Sequence, residues 1–309
     1  MMVHRPRVAV LTGFGINCDR ETESVFEMVD AQADRIHLNR LCRGDVSLDD
    51  YHILAIPGGF SFGDHLGSGR LFGNRLRFTL RDELQAFVAS GRPVIGICNG
   101  FQVLVKTGLL PGSESFDMEQ TASITLNDSG RFEDRWVTID FDPESPCIWT
   151  TGVERMEAPI RHGEGKFVVP DKDKLDAYCA AGLAVCRYVD PQTKIGQGLT
   201  DKPLPYPICP NGSMRNIAGI CDSSGLVFGL MPHPEAYHSI WLHPRWTNQP
   251  RPDIKSDPSL FAILAATSGS DSELVQQTAR IRSAEREAWE GPGLQIFTNA
   301  VAYIRQQTN

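Results

Sequence analysis

The sequence has no run of 18 apolar residues, which excludes a membrane-spanning helix. It has no surplus of positive charge either. Its 309 residues carry 30 Lys and Arg against 38 Asp and Glu, a net charge of −8. Neutralising phosphates needs an excess of cations, so non-specific nucleic-acid binding is disfavoured. No Gly-x-x-x-x-Gly-Lys-Ser/Thr loop occurs, and Gly13-x-Gly15 is followed by Cys18 where a dinucleotide fingerprint requires glycine. The chain therefore shows no nucleotide site of its own. The eight cysteines (18, 42, 98, 147, 179, 186, 209 and 221) include no Cys-x-x-Cys pair and no neighbouring His cluster, so no metal site is expected. Met1 to Arg7 leads straight into a strand-like run and leaves no room for a signal peptide. The expectation is a cytoplasmic chain whose thiols, with one exception, are small buried hydrophobes.

What is present suits a globular protein, with 41% hydrophobic and 22% charged residues. Arg7–Thr12, Arg35–Leu38, Tyr51–Ile56 and Pro93–Ile97 read as strands, and the last two are apolar enough to be covered on both faces. Between them lie amphipathic helices: one capped by Asp19 with Val25, Phe26 and Val29 on one face, another carrying Leu76, Leu80, Leu84, Phe87 and Val88 and ending at Gly91. This alternation predicts an α/β fold, a doubly wound and mostly parallel central sheet flanked by helices. The middle runs Trp136–Phe141, Phe167–Val169 and Leu183–Val189 are expected to extend that sheet with antiparallel strands, and Ile217–Cys221 and Leu226–Met231 to close a hairpin around Asp222–Gly225. Pro244, Pro250, Pro252 and Pro258 preclude a regular helix there. The reading is a single domain over 1–309 with a surface insertion at about 241–290, containing a polar helical segment at Ser272–Glu290 and followed by a last helix with Leu294, Phe297, Val301 and Ile304.

The exceptional thiol is Cys98. Gly96-Ile97-Cys98-Asn99-Gly100 lies between a buried strand and an amphipathic helix, the spacing of a nucleophile elbow with cysteine in place of serine. The turn lifts the thiol above the sheet edge and sets it at a helix N-terminus, which favours thiolate. Met231-Pro-His233-Pro-Glu235 follows the last strand and offers a base with a carboxylate two residues on, as a cysteine nucleophile needs. His243 is different: Arg245 stands two residues on, where no carboxylate can orient it. Pro57-Gly58-Gly59-Phe60-Ser61 ends the third strand, and the backbone amides of Gly59 and Asn99 are assigned as an oxyanion hole.

Gly-Ile-Cys-Asn-Gly-Phe-Gln at 96–102 together with Met-Pro-His-Pro-Glu at 231–235 resembles the class I, triad-type glutamine amidotransferases. Stretches 15–22, 57–64, 159–167 and 210–213 narrow the resemblance to the glutaminase subunits of phosphoribosylformylglycinamidine synthase. The resemblance implies a flavodoxin-like sheet, with Cys98 attacking the glutamine side-chain amide and His233, oriented by Glu235, moving protons. It implies that Gln102 and the backbone of His162, Gly163, Glu164 and Gly165 hold the amino-acid end of glutamine. It further implies an ATP- and Mg-binding synthetase subunit as partner, with or without a small third chain, that uses the ammonia to make formylglycinamidine ribonucleotide. Two features depart from the pattern: residues 241–290 have no recognised counterpart, and Lys166 stands where arginine is common. A glutaminase serving another synthase, or a cysteine hydrolase of the same architecture, stays open at this stage.

Overall fold

The structure is a computed structural model that describes residues 5–64, 66–112, 118–248 and 290–307. The chain divides into two compact units, Met1–Ala236 with Gly293–Asn309, and Tyr237–Pro292.

In the larger unit, the elements run β1 (Arg7–Thr12), α1 (Asp19–Met28), β2 (Gln32–His37), α2 (Leu38–Cys42), β3 (Ile53–Ile56), α3 (Arg70–Thr79), α4 (Arg81–Ala89), β4 (Val94–Ile97) and α5 (Asn99–Thr107). They continue with β5 (Ser123–Leu126), β6 (Glu133–Phe141), β7 (Arg155–His162), β8 (Glu164–Val168), α6 (Lys172–Ala180), β9 (Cys186–Tyr188), β10 (Ile217–Cys221), β11 (Val227–Leu230) and α7 (Leu294–Gln307). Among the described residues, nine strands form one sheet in the order β2-β1-β3-β4-β11-β10-β9-β6-β7. The five strands from β2 to β11 pair in parallel, and β10, β9, β6 and β7 extend the sheet antiparallel; β10, β9 and β6 fall in runs that the apolar patterning predicts, and β7 does not. Every residue of β3, β4 and β11 is buried, which explains their unbroken apolar composition.

Four expectations need correction. Phe167–Val169 does not join the main sheet: β8 pairs with β5 in a separate two-stranded sheet, because Gly163 ends β7 and the Gly165 carbonyl is fixed by Asn211 Nδ2 at 2.8 Å. The long helix is two helices broken at Leu80 (φ −125°, ψ 26°), with Asp82 and Glu83 in the first turn of α4 favouring a fresh start. Asp19 does not cap α1 through its side chain. It is the first helical residue, and its carboxylate lies 3.4 Å from Arg35 Nη1. Leu183–Val189 contributes only the three residues of β9 to the ladder. The edge strand β7 was masked in the sequence by Pro159, a residue that an edge position tolerates.

The smaller unit contains short 3₁₀ turns at Ile240–Leu242 and Trp246–Asn248, with the Trp241 and Trp246 rings 4.7 Å apart. The helix expected at Ser272–Glu290 falls, but for Glu290, outside the described residues. No helix among the described residues is long and apolar enough to cross a membrane.

The last helix forms as its pattern predicts, with Leu294, Phe297, Val301 and Ile304 buried. Phe297 packs edge-on against Phe26 of α1 with centroids 5.0 Å apart, and Asn299 Nδ2 donates to the Trp149 carbonyl at 2.8 Å. Phe297→Ala is expected to lower stability by about 3–5 kcal/mol through the cavity it leaves. Urea unfolding should show a lower midpoint at unchanged slope, and a loss below about 1 kcal/mol would contradict this anchoring role.

Candidate active site

The loops that follow the carboxyl ends of β1, β3, β4 and β11 converge, as expected for the ligand side of a doubly wound sheet. At the centre is Cys98, between β4 and α5, with φ 51° and ψ −104°. Its N–H donates to the Leu230 carbonyl at 2.8 Å, locking the turn to β11. Gly100 permits the close approach of α5 to β3, since a Cβ there would collide with the Ile56 carbonyl oxygen. The first N–H groups of α5, Asn99 among them, have no intrahelical acceptor and point toward the thiol end.

His233 is fixed from both sides. Its N–H donates to the Pro159 carbonyl at 2.8 Å, and its Nδ1 lies 2.6 Å from Glu235 Oε1, with both side chains buried. The two residues meet through a short 3₁₀ turn, Pro234–Tyr237, instead of the extended segment the prolines suggested. Nε2 is buried and faces the thiols of Cys18 and Cys98. Gly58 measures how tightly these groups converge: a methyl there would lie 2.8 Å from His233 Cε1, 3.3 Å from Cys18 Sγ and 3.5 Å from Cys98 Cβ. Burial alone would pull the imidazole down, but the charges of Glu235 and Cys98 outweigh it and hold His233 well above its usual 6.5. An imidazolium beside the sulfur stabilises negative charge there.

A cleft of about 200 Å³ opens over this centre. Gly59, Cys98 and His233 line it, as do Asn17, Cys18 and Glu21 from the start of α1 and Phe60, Phe132, Asp134 and Arg161. Gln102, His162, Gly163, Glu164 and Gly165 are not among the residues that line it. Asn99 Oδ1 accepts from Ser61 N–H at 3.3 Å, Asn99 Nδ2 donates to Gln102 Oε1 at 2.8 Å, and Gln102 Nε2 donates to the Glu164 carbonyl at 2.5 Å. The Glu164 carboxylate in turn accepts from Ser68 N–H. Asn127 Nδ2 donates to the His162 carbonyl at 2.8 Å, and Asn127 Oδ1 accepts from Gly165 N–H at 2.9 Å. Lys166 pairs with Asp128 at 2.5 Å. His243 Nδ1 accepts from Arg245 N–H, so no carboxylate orients it through that atom.

A family model for the CobB/CobQ-like glutamine amidotransferase domain matches residues 5–266. The chain belongs to this family. Within it, the chain is 37% identical over 302 residues to the phosphoribosylformylglycinamidine synthase subunit PurQ of Dehalococcoides mccartyi, covering 97% of this chain and 98% of that one. It is 41% identical over 301 residues to the PurQ subunit of Methanococcus maripaludis strain C7, again covering 97% and 98%. Among solved structures, a chain of PurLQS from Thermotoga maritima matches with a TM-score of 0.58 and 29% identity over 78% of this chain and 93% of that one.

Sequence reasoning missed the outer wall of the cleft: Asn17, Cys18, Glu21, Asp134 and Arg161. Asn17, Cys18, Glu21 and Arg161 lie inside stretches that carried the resemblance, but nothing in their spacing marks a pocket. Cys18 is a second thiol near His233; burial pushes it up, partly opposed by that imidazole. Cys18, His233 and Glu235 each place a donor atom within 4.8 Å of the others, the donor types of a soft cation site, although Glu235 is already engaged with His233 Nδ1.

Buried His162 is held down at about 3 by desolvation and, secondarily, by the charge of His233. The native protein keeps it neutral, while the unfolded chain titrates near 6.5. Its contribution to stability is therefore complete above about pH 6.5 and lost as pH falls toward 3, at a slope of about 1.4 kcal/mol per pH unit for one proton. His162→Gln should flatten the stability profile between pH 6.5 and 4.5 by that one-proton slope. Denaturation at several pH values checks it, and parallel profiles for the two proteins would refute the assignment.

Proposed function

We propose that this chain is the glutaminase subunit of a phosphoribosylformylglycinamidine synthase. The observation that carries this most directly is the buried His233–Glu235 pair facing the elbow thiol of Cys98, in a chain alignable almost end to end with PurQ subunits. Cys98 Sγ attacks the side-chain carbonyl carbon of glutamine, and the tetrahedral oxyanion is met by the N–H groups of Gly59 and Asn99. His233 delivers a proton to the departing nitrogen, so ammonia leaves and a γ-glutamyl thioester remains on Cys98. His233 then takes a proton from water, which attacks the thioester and releases glutamate. Glu235 holds the imidazole ring in the tautomer that presents Nε2 to the sulfur and balances its charge. Removing one oxyanion donor in comparable sites costs about 2.7–4 kcal/mol of barrier.

Ammonia is mostly ammonium in neutral water and then has no lone pair to attack with. Direct delivery to a synthetase subunit avoids that loss, and that subunit converts formylglycinamide ribonucleotide to formylglycinamidine ribonucleotide at the expense of ATP. ATP and Mg belong on the partner, in keeping with the lack of a phosphate loop here. The solved PurLQS relative supports an assembly with a synthetase and a small third subunit. The cytoplasm, where purine precursors are made, is the proposed location.

In the assembled synthase, Cys98→Ala should abolish glutamine-dependent amidation, a loss of at least about 10³-fold, while added ammonium chloride still supports it to within about 3-fold of wild type. Glu235→Gln should lower glutamine-dependent kcat by about 10²–10⁴-fold with ammonium-dependent turnover intact. Retention of glutamine turnover by Cys98→Ala would falsify the mechanism. The isolated chain should hydrolyse glutamine slowly until the partner completes the site; full turnover by the purified chain would argue against that coupling.

A further inference from the structure

The cleft carries charged side chains that the chemistry at the thiol does not use. Arg161 on β7 stands opposite Asp134 of β6 in the antiparallel register, and both line the cleft. Glu21 of α1 lines it too, with Oε2 3.9 Å from Arg161 Nη1. The Arg161 carbonyl receives the Cys98 Sγ at 3.7 Å, so the residue that touches the nucleophile also puts a guanidinium on the cleft wall. Neighbouring His162 alternates to the other face of the strand and is buried.

One cation flanked by two carboxylates is the complement of an α-amino acid head group, which presents a carboxylate beside an ammonium. The Arg161 and Glu21 side chains are 39% and 46% exposed, so a ligand can reach both. Their 3.9 Å separation is a loose pair that an incoming carboxylate can replace with a two-donor fork. Gln102 is placed differently: both ends of its amide are committed, to Asn99 and to the Glu164 carbonyl, and it is 3% exposed. Resting on the glutaminase reading above, we infer that Arg161 recognises the α-carboxylate of glutamine, with Glu21 and Asp134 receiving its α-ammonium group, and that this head-group recognition restricts the site to free α-amino acid amides. Arg161 thus determines specificity by positioning the substrate amide against Cys98.

The test pairs substrate truncation with side-chain truncation in the assembled synthase. Three amides are compared: glutamine, 4-aminobutanamide, which lacks the carboxylate, and glutaramate, which lacks the ammonium. Wild type should lose roughly 10–100-fold in kcat/KM when the carboxylate is removed. Arg161→Gln should raise the KM for glutamine by a similar factor with kcat within about 3-fold, and should show almost no further loss on 4-aminobutanamide. Its penalty for glutaramate should stay that of wild type. Arg161→Lys, which keeps the charge without the fork, should recover part of the lost affinity and guards against a folding defect in the first variant. An unchanged KM in Arg161→Gln, or an undiminished penalty for losing the carboxylate in that variant, would overturn the inference. Failure of wild type to hydrolyse glutamine at all would instead overturn the glutaminase reading on which it rests.

Discussion

The backbone at Cys98 must leave a fully buried parallel strand and enter a helix within a single residue, and the rest of the site is arranged around that turn. A non-glycine residue at φ 51° and ψ −104° lies outside the usual basins and costs about 1–3 kcal/mol. The strand pairing on both sides of β4 supports this conformation, as does the Cys98 N–H bond to Leu230 and the close seat of Gly100 on Ile56. The same turn frees the first amides of α5 and raises the sulfur out of the sheet. Strain and reactivity therefore have one cause.

The neighbouring strands supply what the turn cannot. β3 delivers Gly58 and Gly59 beneath and beside the thiol, and β11 delivers His233 two residues after Met231. The chain of bonds from Ser61 through Asn99 and Gln102 to Glu164 ties separate loops to the elbow. Asn127, Asn211 and Ser213 hold the turn after β7 in the same way. These amides act as a scaffold, and the charged side chains that face solvent in the cleft belong to a different layer. Cys18 shows how far local backbone decides function: it also approaches His233, yet it sits at an ordinary helix start (φ −95°) with its thiol pushed up by burial.

β1, β3, β4 and β11 were legible because they are short apolar runs that end at or near glycine or proline, whereas the parallel pairing of β11 with β4 left no mark in the sequence. The residues proposed as catalytic, Cys98, His233 and Glu235, were legible for a related reason, since Gly-x-Cys-x-Gly and Pro-His-Pro-Glu each leave a local backbone signature. Periodicity failed where two helices share one apolar face, as at Leu80, and where a proline sits in an edge strand, as at Pro159. The fate of Phe167 was not readable either, because it depends on side-chain amides from Asn127 and Asn211, distant in sequence. The cleft wall was hidden for the same reason. Arg161, Asp134 and Glu21 meet only after β6, β7 and α1 are assembled, and each alone looks like an ordinary surface charge.

The assignment of Cys98 as nucleophile is tested most directly by trapping the acyl-enzyme. The assembled synthase is quenched in acid during turnover of glutamine, digested, and its cysteine peptides weighed. A mass increase of one glutamyl group on the peptide containing Cys98, absent from the peptide containing Cys18 and abolished when His233 is replaced, is the predicted result. A glutamyl group on Cys18, or turnover with no acylated cysteine at all, would contradict the account.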